Sequence, residues 1–230
     1  MSAAGFAPET FAFLKSLKDN NAKDWFDAHK ADYQRFVKKP SDFFRSEVAR
    51  KLAELTGHEI VSKQFRINRD LRFSKDKTPY NTHIRMAFWP NGGAFEGRDA
   101  QPPSFFLSVE PDHIRFGTGC MAFSKPVLGS YLQALETGKG EEIERLLDQL
   151  NSEGFDRSEP DLAKVPRGFP KDNQFADLAR HKGLAVWKSI EDTDQLIGDA
   201  APTFMVSSWN PTLPFWQWLV DIPKSVYAAK

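Results

Sequence analysis

Apolar residues in the first quarter of the chain recur at helical spacing. Phe11, Leu14 and Leu17 fall near one face of a helix over residues 8–17, and Asn20-Asn21 supplies a stop. Trp25, Phe26, His29, Tyr33 and Phe36 follow at mostly three- and four-residue intervals, which predicts a second helix over 23–37. A third runs over about 40–55, with Phe44, Val48, Leu52 and Leu55 as its stripe, Pro40 in the first turn and Gly57 at its end. Near residue 65 the period switches to two. Phe65, Ile67, Leu71 and Phe73 share one parity and Arg66, Asn68, Asp70 and Arg72 the other, which predicts a strand with the helices of 8–55 covering one face. Arg69 falls on the apolar parity, so either a bulge or an inward arginine is expected there. Tyr80, Thr82, Ile84, Met86 and Phe88 alternate again, with residues 74–79 as the intervening turn and Asn91-Gly92-Gly93 as the end.

A further hairpin is predicted from 104–109 and 113–116 around Pro111-Asp112. Helices follow over 126–137 and 140–150, then a loop-rich stretch over 156–170 and a helix near 172–180. A strand over 184–190 and one or two C-terminal helices complete the pattern. The expected class is α+β: a mainly antiparallel sheet of four or more strands packed against N-terminal and C-terminal helices. With no repeat or low-complexity linker, residues 1–230 read as a single domain. Its helical layer covers about 8–56, its sheet about 64–118 and its C-terminal helical part about 124–228.

Composition changes this picture little. Twenty Phe and six Trp within 40% hydrophobic content suffice for a sizeable core, and 27% charged residues fit a soluble globular protein. Thirty-one basic residues balance thirty-one acidic ones, so nothing global attracts nucleic acid or an anionic membrane. The first residues lack a basic stretch followed by an apolar one, so no secretory signal is expected, and the late run FWQWLV is too short to span a bilayer. A lone cysteine, Cys120, excludes an internal disulfide framework and suits a reducing compartment, so a cytoplasmic location is expected.

Charge becomes informative locally. Arg66, Arg69, Arg72, Lys75 and Lys77 face only Asp70 and Asp76, a surplus of three positive charges in a chain of zero net charge. Arginine forks match carboxylate and phosphate, and a polar turn over 74–79 offers amides, hydroxyls and two ammonium groups to an anion. The five cations are therefore the candidate ligand-binding residues. Arg69, Arg72, Lys75 and Lys77 are expected to converge on one anion, with Asp70 orienting an arginine. Asp70 and Tyr80 are the candidate catalytic groups for moving a proton. The competing reading is a salt-bridge lattice in which the two aspartates satisfy several of these cations.

Asn20-Asn21-x-Lys23-x-Trp25-Phe26, followed by Arg69-Asp70-x-Arg72-Phe73-Ser74-Lys75-Asp76-Lys77-Thr78-Pro79-Tyr80, resembles an uncharacterised family of bacteria and fungi, domain of unknown function 2461. Pro40, Gly117-Thr118-Gly119, Pro166-Arg167-Gly168-Phe169 and the stretch 178–184 extend the likeness over the chain to about residue 190. The resemblance implies one bacterial α+β domain and directs attention to the basic segment; it implies no activity. Members often carry a lysine after the Pro-Tyr pair, where this chain has Asn81.

Other motifs carry less. Gly117-x-Gly119-x-x-Ala122 matches a dinucleotide fingerprint only superficially, and a glycine turn at a strand end is the expected reading. His29, His58, His83, His113 and His181 show no zinc-ligand spacing, so no metal site is assigned and the cofactor stays open. His83 alone borders the basic segment in sequence. Neither a GxSxG elbow nor a GxxxxGK[ST] loop is present. Cys120 reads as a buried thiol before a nucleophile, and Trp209, Trp216 and Trp218 as helix-face packing before an exposed patch.

Two functional classes follow. One is binding of, or catalysis on, a small phosphorylated or carboxylated ligand at the basic site. The other is a non-catalytic interaction module for a nucleotide, a nucleic-acid backbone or an acidic partner, with the basic motif partly structural. The expected partner is a small anion such as phosphate, a nucleotide or a carboxylate; nucleic acid is disfavoured, and no membrane is expected. Whether the chain is an enzyme, and its oligomeric state, stay open. A deep pocket holding Asp70 among several arginines favours the first class; a flat or convex basic face with exposed Phe or Trp favours the second.

Overall fold

A computed structural model describes residues 4–93 and 100–225, with side chains to residue 222. Helix α1 (Pro8–Asp19) begins with Pro8 in its first turn after extended Ala7 and carries Glu9 in the first turn and Lys18 in the last. It buries Thr10, Phe11, Phe13, Leu14 and Leu17. The helix expected over 23–37 is interrupted. It divides into α2 (Lys23–Ala28), the single turn α3 (Lys30–Asp32) and a π-helical turn over Tyr33–Lys38, before α4 (Lys39–Thr56). Two local bonds accompany the break. His29 leaves helical geometry with its Nδ1 donating to the Trp25 carbonyl at 2.7 Å. In the π turn, the Phe36 carbonyl accepts from buried Thr10 Oγ1 of α1 at 2.5 Å. Gly57, at φ 71°, ends α4 as expected, its N–H bonded to the Ala53 carbonyl.

The strands are β1 (Ile60–Gln64), β2 (Ile84–Pro90), β3 (Ser104–Val109), β4 (Ile114–Cys120), β5 (Asp156–Arg157) and β6 (Leu184–Ile190). They form one antiparallel sheet in the order β1-β2-β3-β4-β6-β5. The α+β class, the strand over 104–109 and the strand over 184–190 stand as expected. All six residues of β3 are buried, which explains why its sequence SFFLSV shows no alternation.

Residues 65–73 do not form the expected strand. Apart from an isolated antiparallel bridge between Asn68 and Tyr80, the segment is irregular, and the strand before β2 lies earlier, at β1. The alternation misleads because its apolar members are not a buried face. Ile67 is buried, but Phe65 is 36% exposed and Phe73 96%. Similarly, the helix expected near 172–180 reduces to one 3-10 turn, Leu178–Arg180.

The glycine pair is also not a turn at a strand end. Gly117 and Gly119 lie inside β4, where a Cβ on Gly117 would meet the Val186 carbonyl and the Trp187 ring, and one on Gly119 would meet Leu184 and Ala185. Gly119 has φ 151°. These glycines permit close approach to β6 rather than binding a dinucleotide.

After β4 come α5 (Lys125–Leu135), α6 (Gly138–Ser152), α7 (Ala201–Trp209) and α8 (Leu213–Ser225). Two compact units can be distinguished. The first comprises Met1–Phe88, Phe106–Phe116 and Ser189–Ser208; the second comprises Trp89–Phe105, Gly117–Lys188 and Trp209–Lys230. In the first, Phe6 packs on Phe44 with ring centroids 5.0 Å apart, and its backbone is bonded to Leu196 and Gly198. In the second, Phe105 lies against Trp209 and Trp216, whose indole N–H groups donate to the Gly117 and Pro103 carbonyls. The C-terminal tryptophans Trp209, Trp216 and Trp218 are thus packed, not an exposed patch.

His181 is fully buried, and neither ring nitrogen has a hydrogen-bond partner among the described residues. Burial pushes its pKa below the ordinary histidine value, followed by the charge of Arg157. A base with a depressed folded pKa binds a proton more readily when unfolded. Its contribution to stability is therefore complete above about pH 6.5 and is lost as pH falls below that value toward the folded pKa. Thermal melts should show the midpoint falling between about pH 7 and 5, with a shallower fall in His181→Leu.

Candidate functional site

The basic segment is a loop held by backbone and side-chain bonds. At its start the Phe65 N–H donates to the Arg85 carbonyl of β2 at 2.9 Å. Its two arms are joined by Arg69 N–H to the Pro79 carbonyl at 2.9 Å, Asn81 N–H to the Ile67 carbonyl at 2.6 Å, and Asn81 Nδ2 to the Arg66 carbonyl at 3.2 Å. At the base Asn21 binds the backbone of Tyr80 twice, donating Nδ2 to its carbonyl at 2.9 Å and accepting its N–H on Oδ1 at 3.1 Å. The Tyr80 ring stacks on Phe26 with centroids 4.1 Å apart. Asn21 and Phe26, from the first motif, therefore form the seat for Tyr80, from the second.

Arg69 occupies the middle of the loop, its side chain only 22% exposed. Its Nη1 binds Asp76 Oδ2 at 2.5 Å, the Thr78 carbonyl at 3.0 Å and the Thr78 hydroxyl, while Nη2 reaches Ser74 Oγ at 3.2 Å. Asp76 accepts the Thr78 N–H at 2.9 Å. That backbone bond first, and the Arg69 bond next, hold its carboxyl below the usual carboxylate range. Arg69 is the arginine off the strand parity, and it turns inward as one of the two options required.

The remaining cations lie outside. Arg72 is 77% exposed in its side chain and is forked onto Asp70, with Nε to Oδ1 at 3.0 Å and Nη2 to Oδ2 at 2.7 Å. This pairing raises the guanidinium pKa, chiefly through the hydrogen bond and then through charge. Lys77 donates to the Leu71 carbonyl at 3.0 Å. Arg66 and Lys75 are exposed, and their side chains make no ion pair or hydrogen bond among the described residues. Between Arg72 and Lys75 in the chain stands Phe73, almost fully exposed.

The two candidate proton carriers are placed differently from each other. Asp70 is exposed and engaged by Arg72, whereas Tyr80 is buried against Phe26. Burial, then the charge of Asp27, raises the Tyr80 pKa, so its phenol keeps its proton through the neutral range. Two cavities, of about 370 Å³ and 250 Å³, are lined by residues outside 65–80.

A second polar cluster escaped the linear pattern. Ser108 Oγ donates to Glu110 Oε1 at 2.7 Å, and His83 Nδ1 lies 3.5 Å from Glu110 Oε2. Burial pushes the Glu110 carboxyl up, but bonds from His83 and Ser108 and the charges of His83 and His113 outweigh it, leaving a pKa of about 2. The carboxylate sits between hydroxyl and imidazole, so His83 is placed to pair with Glu110 and not to activate Ser108. His83 borders the basic segment in the sequence, but its partner, 27 residues on, carries no sequence signal.

Cys120 is buried, with its thiol bonded to the Gln101 carbonyl at 2.9 Å, and burial pushes its pKa up to about 12. It is not a nucleophile in this state. Among the described residues no group of three or more His, Cys, Asp and Glu side chains is arranged to hold a metal ion. No described helix is long and apolar enough to cross a membrane.

Replacing Asn21 by Ala removes both bonds to Tyr80 and leaves its partly buried backbone groups unpaired. The expected cost is about 1–3 kcal/mol in chemical denaturation, with faster hydrogen exchange at Tyr80. Unchanged exchange there would contradict the anchoring role.

Among curated proteins none matches the chain. A family model described as conserved hypothetical protein (DUF2461) matches residues 9–218. That span runs from α1 into α8 and includes both the Asn21–Phe26 seat and the whole basic loop. The chain belongs to the DUF2461 family of conserved hypothetical proteins.

Proposed function

We propose that the chain is a non-catalytic interaction module that uses the loop 66–80 to recognise an acidic segment of a partner protein with an apolar side chain beside its carboxylates. The observation that carries this reading is Phe73, 96% exposed within a loop bearing a surplus of three positive charges. Leaving a phenylalanine in water forgoes about 2–3 kcal/mol of burial, which a partner surface recovers.

The loop's exposure disfavours a small-molecule enzyme. Sites for small ligands are concave and bury most of the ligand, whereas Arg72, Asp70, Phe73 and Asp76 are each more than half exposed. Arg69 supports the reading from within. By fastening Asp76, Thr78 and Ser74, it fixes the shape of the loop that presents Phe73, Lys75 and Arg66. This preorganisation lowers the entropic cost of binding.

Nucleic acid fits less well. Zero net charge and one cluster of few cations give few phosphate contacts and weak, strongly salt-sensitive binding. The small-anion reading instead requires Arg69, Arg72, Lys75 and Lys77 to share a ligand, against the inward bonds of Arg69 and the backbone bond of Lys77.

The probe is a synthetic peptide of alternating Glu and Leu, titrated while backbone amide signals are followed. Shifts should concentrate in residues 66–80 and weaken with added salt. Phe73→Ser and Lys75→Glu should each weaken binding by about tenfold, with unchanged melting temperature because both side chains are exposed. Equal or tighter binding of a single-stranded oligonucleotide, or a stabilising response to inorganic phosphate alone, would overturn the proposal.

A further inference from the structure

A cleft formed by residues 9–36 has a chemistry opposite to that of the basic loop. On α1, Glu9, Ala12, Phe13 and Ser16 form one stripe at helical spacing, continued by Asn20 at the helix end. Facing it are Trp25, His29, Asp32 and Phe36, spaced four, three and four residues apart through α2, α3 and the π turn. Between the stripes lies an open cavity of about 370 Å³.

The walls are aromatic. Phe13 and Trp25 rings lie 5.7 Å apart, and the Trp25 ring is stacked on His29 at 4.1 Å. The charged groups of the lining are both carboxylates, beside the neutral Ser16 and Asn20, whose amide already donates to the Ser16 carbonyl. Glu9 and Asp32 are exposed carboxylates that form no ion pair among the described residues. The Trp25 carbonyl can only accept, so His29 donates to it from Nδ1; in the neutral ring this leaves Nε2 as an acceptor. One face of the Phe36 ring already holds the Arg35 guanidinium, whose carbon lies 5.1 Å from the ring centroid, so the open cation contacts are those of Phe13 and Trp25.

We infer that this cleft, bounded by Phe13, Trp25 and Phe36 and fringed by Glu9 and Asp32, is a binding site for an alkylammonium group. Negative aromatic faces attract a cation that cannot be satisfied by one directed hydrogen bond, and the two carboxylates add long-range attraction at the mouth. Those carboxylates disfavour an anion. A neutral apolar ligand gains the contact with the rings but not the charge term. No residue of the basic loop lines the cleft, and the inference does not rest on the interaction proposed above.

The same headgroup chemistry occurs in a free choline-type molecule and in a methylated lysine side chain. The test therefore uses three probes on the full chain: choline, a short peptide bearing trimethyllysine, and 3,3-dimethylbutan-1-ol, the neutral carbon isostere of choline. Binding is followed by amide shifts and by calorimetry at constant ionic strength. Choline or the peptide should shift residues 9–36, and the tighter of the two identifies the source. The neutral isostere should bind at least about tenfold more weakly. Glu9→Gln combined with Asp32→Asn should weaken the cationic probes by about tenfold with at most a small fall in melting temperature, since both side chains are exposed and Glu9 contributes only its charge at the start of α1. Trp25→Leu should weaken them as well. If the isostere binds as tightly as choline, the cleft is merely apolar and the proposal fails. It fails equally if neither cationic probe shifts residues 9–36, or if the double variant binds unimpaired.

Discussion

The two hydrogen bonds between the Asn21 side chain and the Tyr80 backbone are the constraint on which the candidate loop depends. They join positions 59 residues apart and fix the C-terminal end of a loop that has little regular structure. Beyond the two backbone bonds that flank the Asn68–Tyr80 bridge the loop has no ladder, so the Tyr80 backbone needs other partners, and an asparagine offers a donor and an acceptor in one amide. Stacking of Tyr80 on Phe26 adds apolar burial beside this pair. Once the base is fixed, Arg69 organises the interior.

The loop divides its cations between two tasks. Arg69 is drawn inward, where a planar fork satisfies a carboxylate, a carbonyl and two hydroxyls at once; a lysine ammonium lacks that geometry. Arg66, Arg72 and Lys75 stay at the surface, as does Phe73. A lattice holds the loop, and the charge left over faces outward. Exposed ion pairs such as Arg72–Asp70 add little stability, so their effect falls on side-chain orientation more than on folding.

Much of the fold was legible in local patterns. The helices near 8–19 and 39–56 and the glycine end of α4 follow from periodicity and cap chemistry, and the strands over 104–109 and 184–190 from short apolar runs. Failures occurred where long-range contacts set the backbone. Thr10 reaches the Phe36 carbonyl in the interrupted helix, and Asn21 takes the backbone bonds of Tyr80. Alternation over 65–73 is a statement about side-chain order, not burial, and Phe73 shows the difference. In the site, charge surplus and Arg69's odd parity were readable, but the His83–Glu110 pair, 27 residues apart, was not.

The sequence by itself determined the α+β class, the family motif, and a local excess of positive charge in a chain neutral overall. These are properties of composition and of residues close together, where spacing and propensity act directly. Tertiary structure decided which arginine turns inward, that Phe73 stays in water, and that Trp25, Phe36 and two carboxylates border one cleft. Each of those outcomes depends on what approaches from elsewhere in the chain. A residue's neighbours in space fix its solvation and hydrogen-bond partners, and the order of residues along the chain leaves those neighbours unspecified.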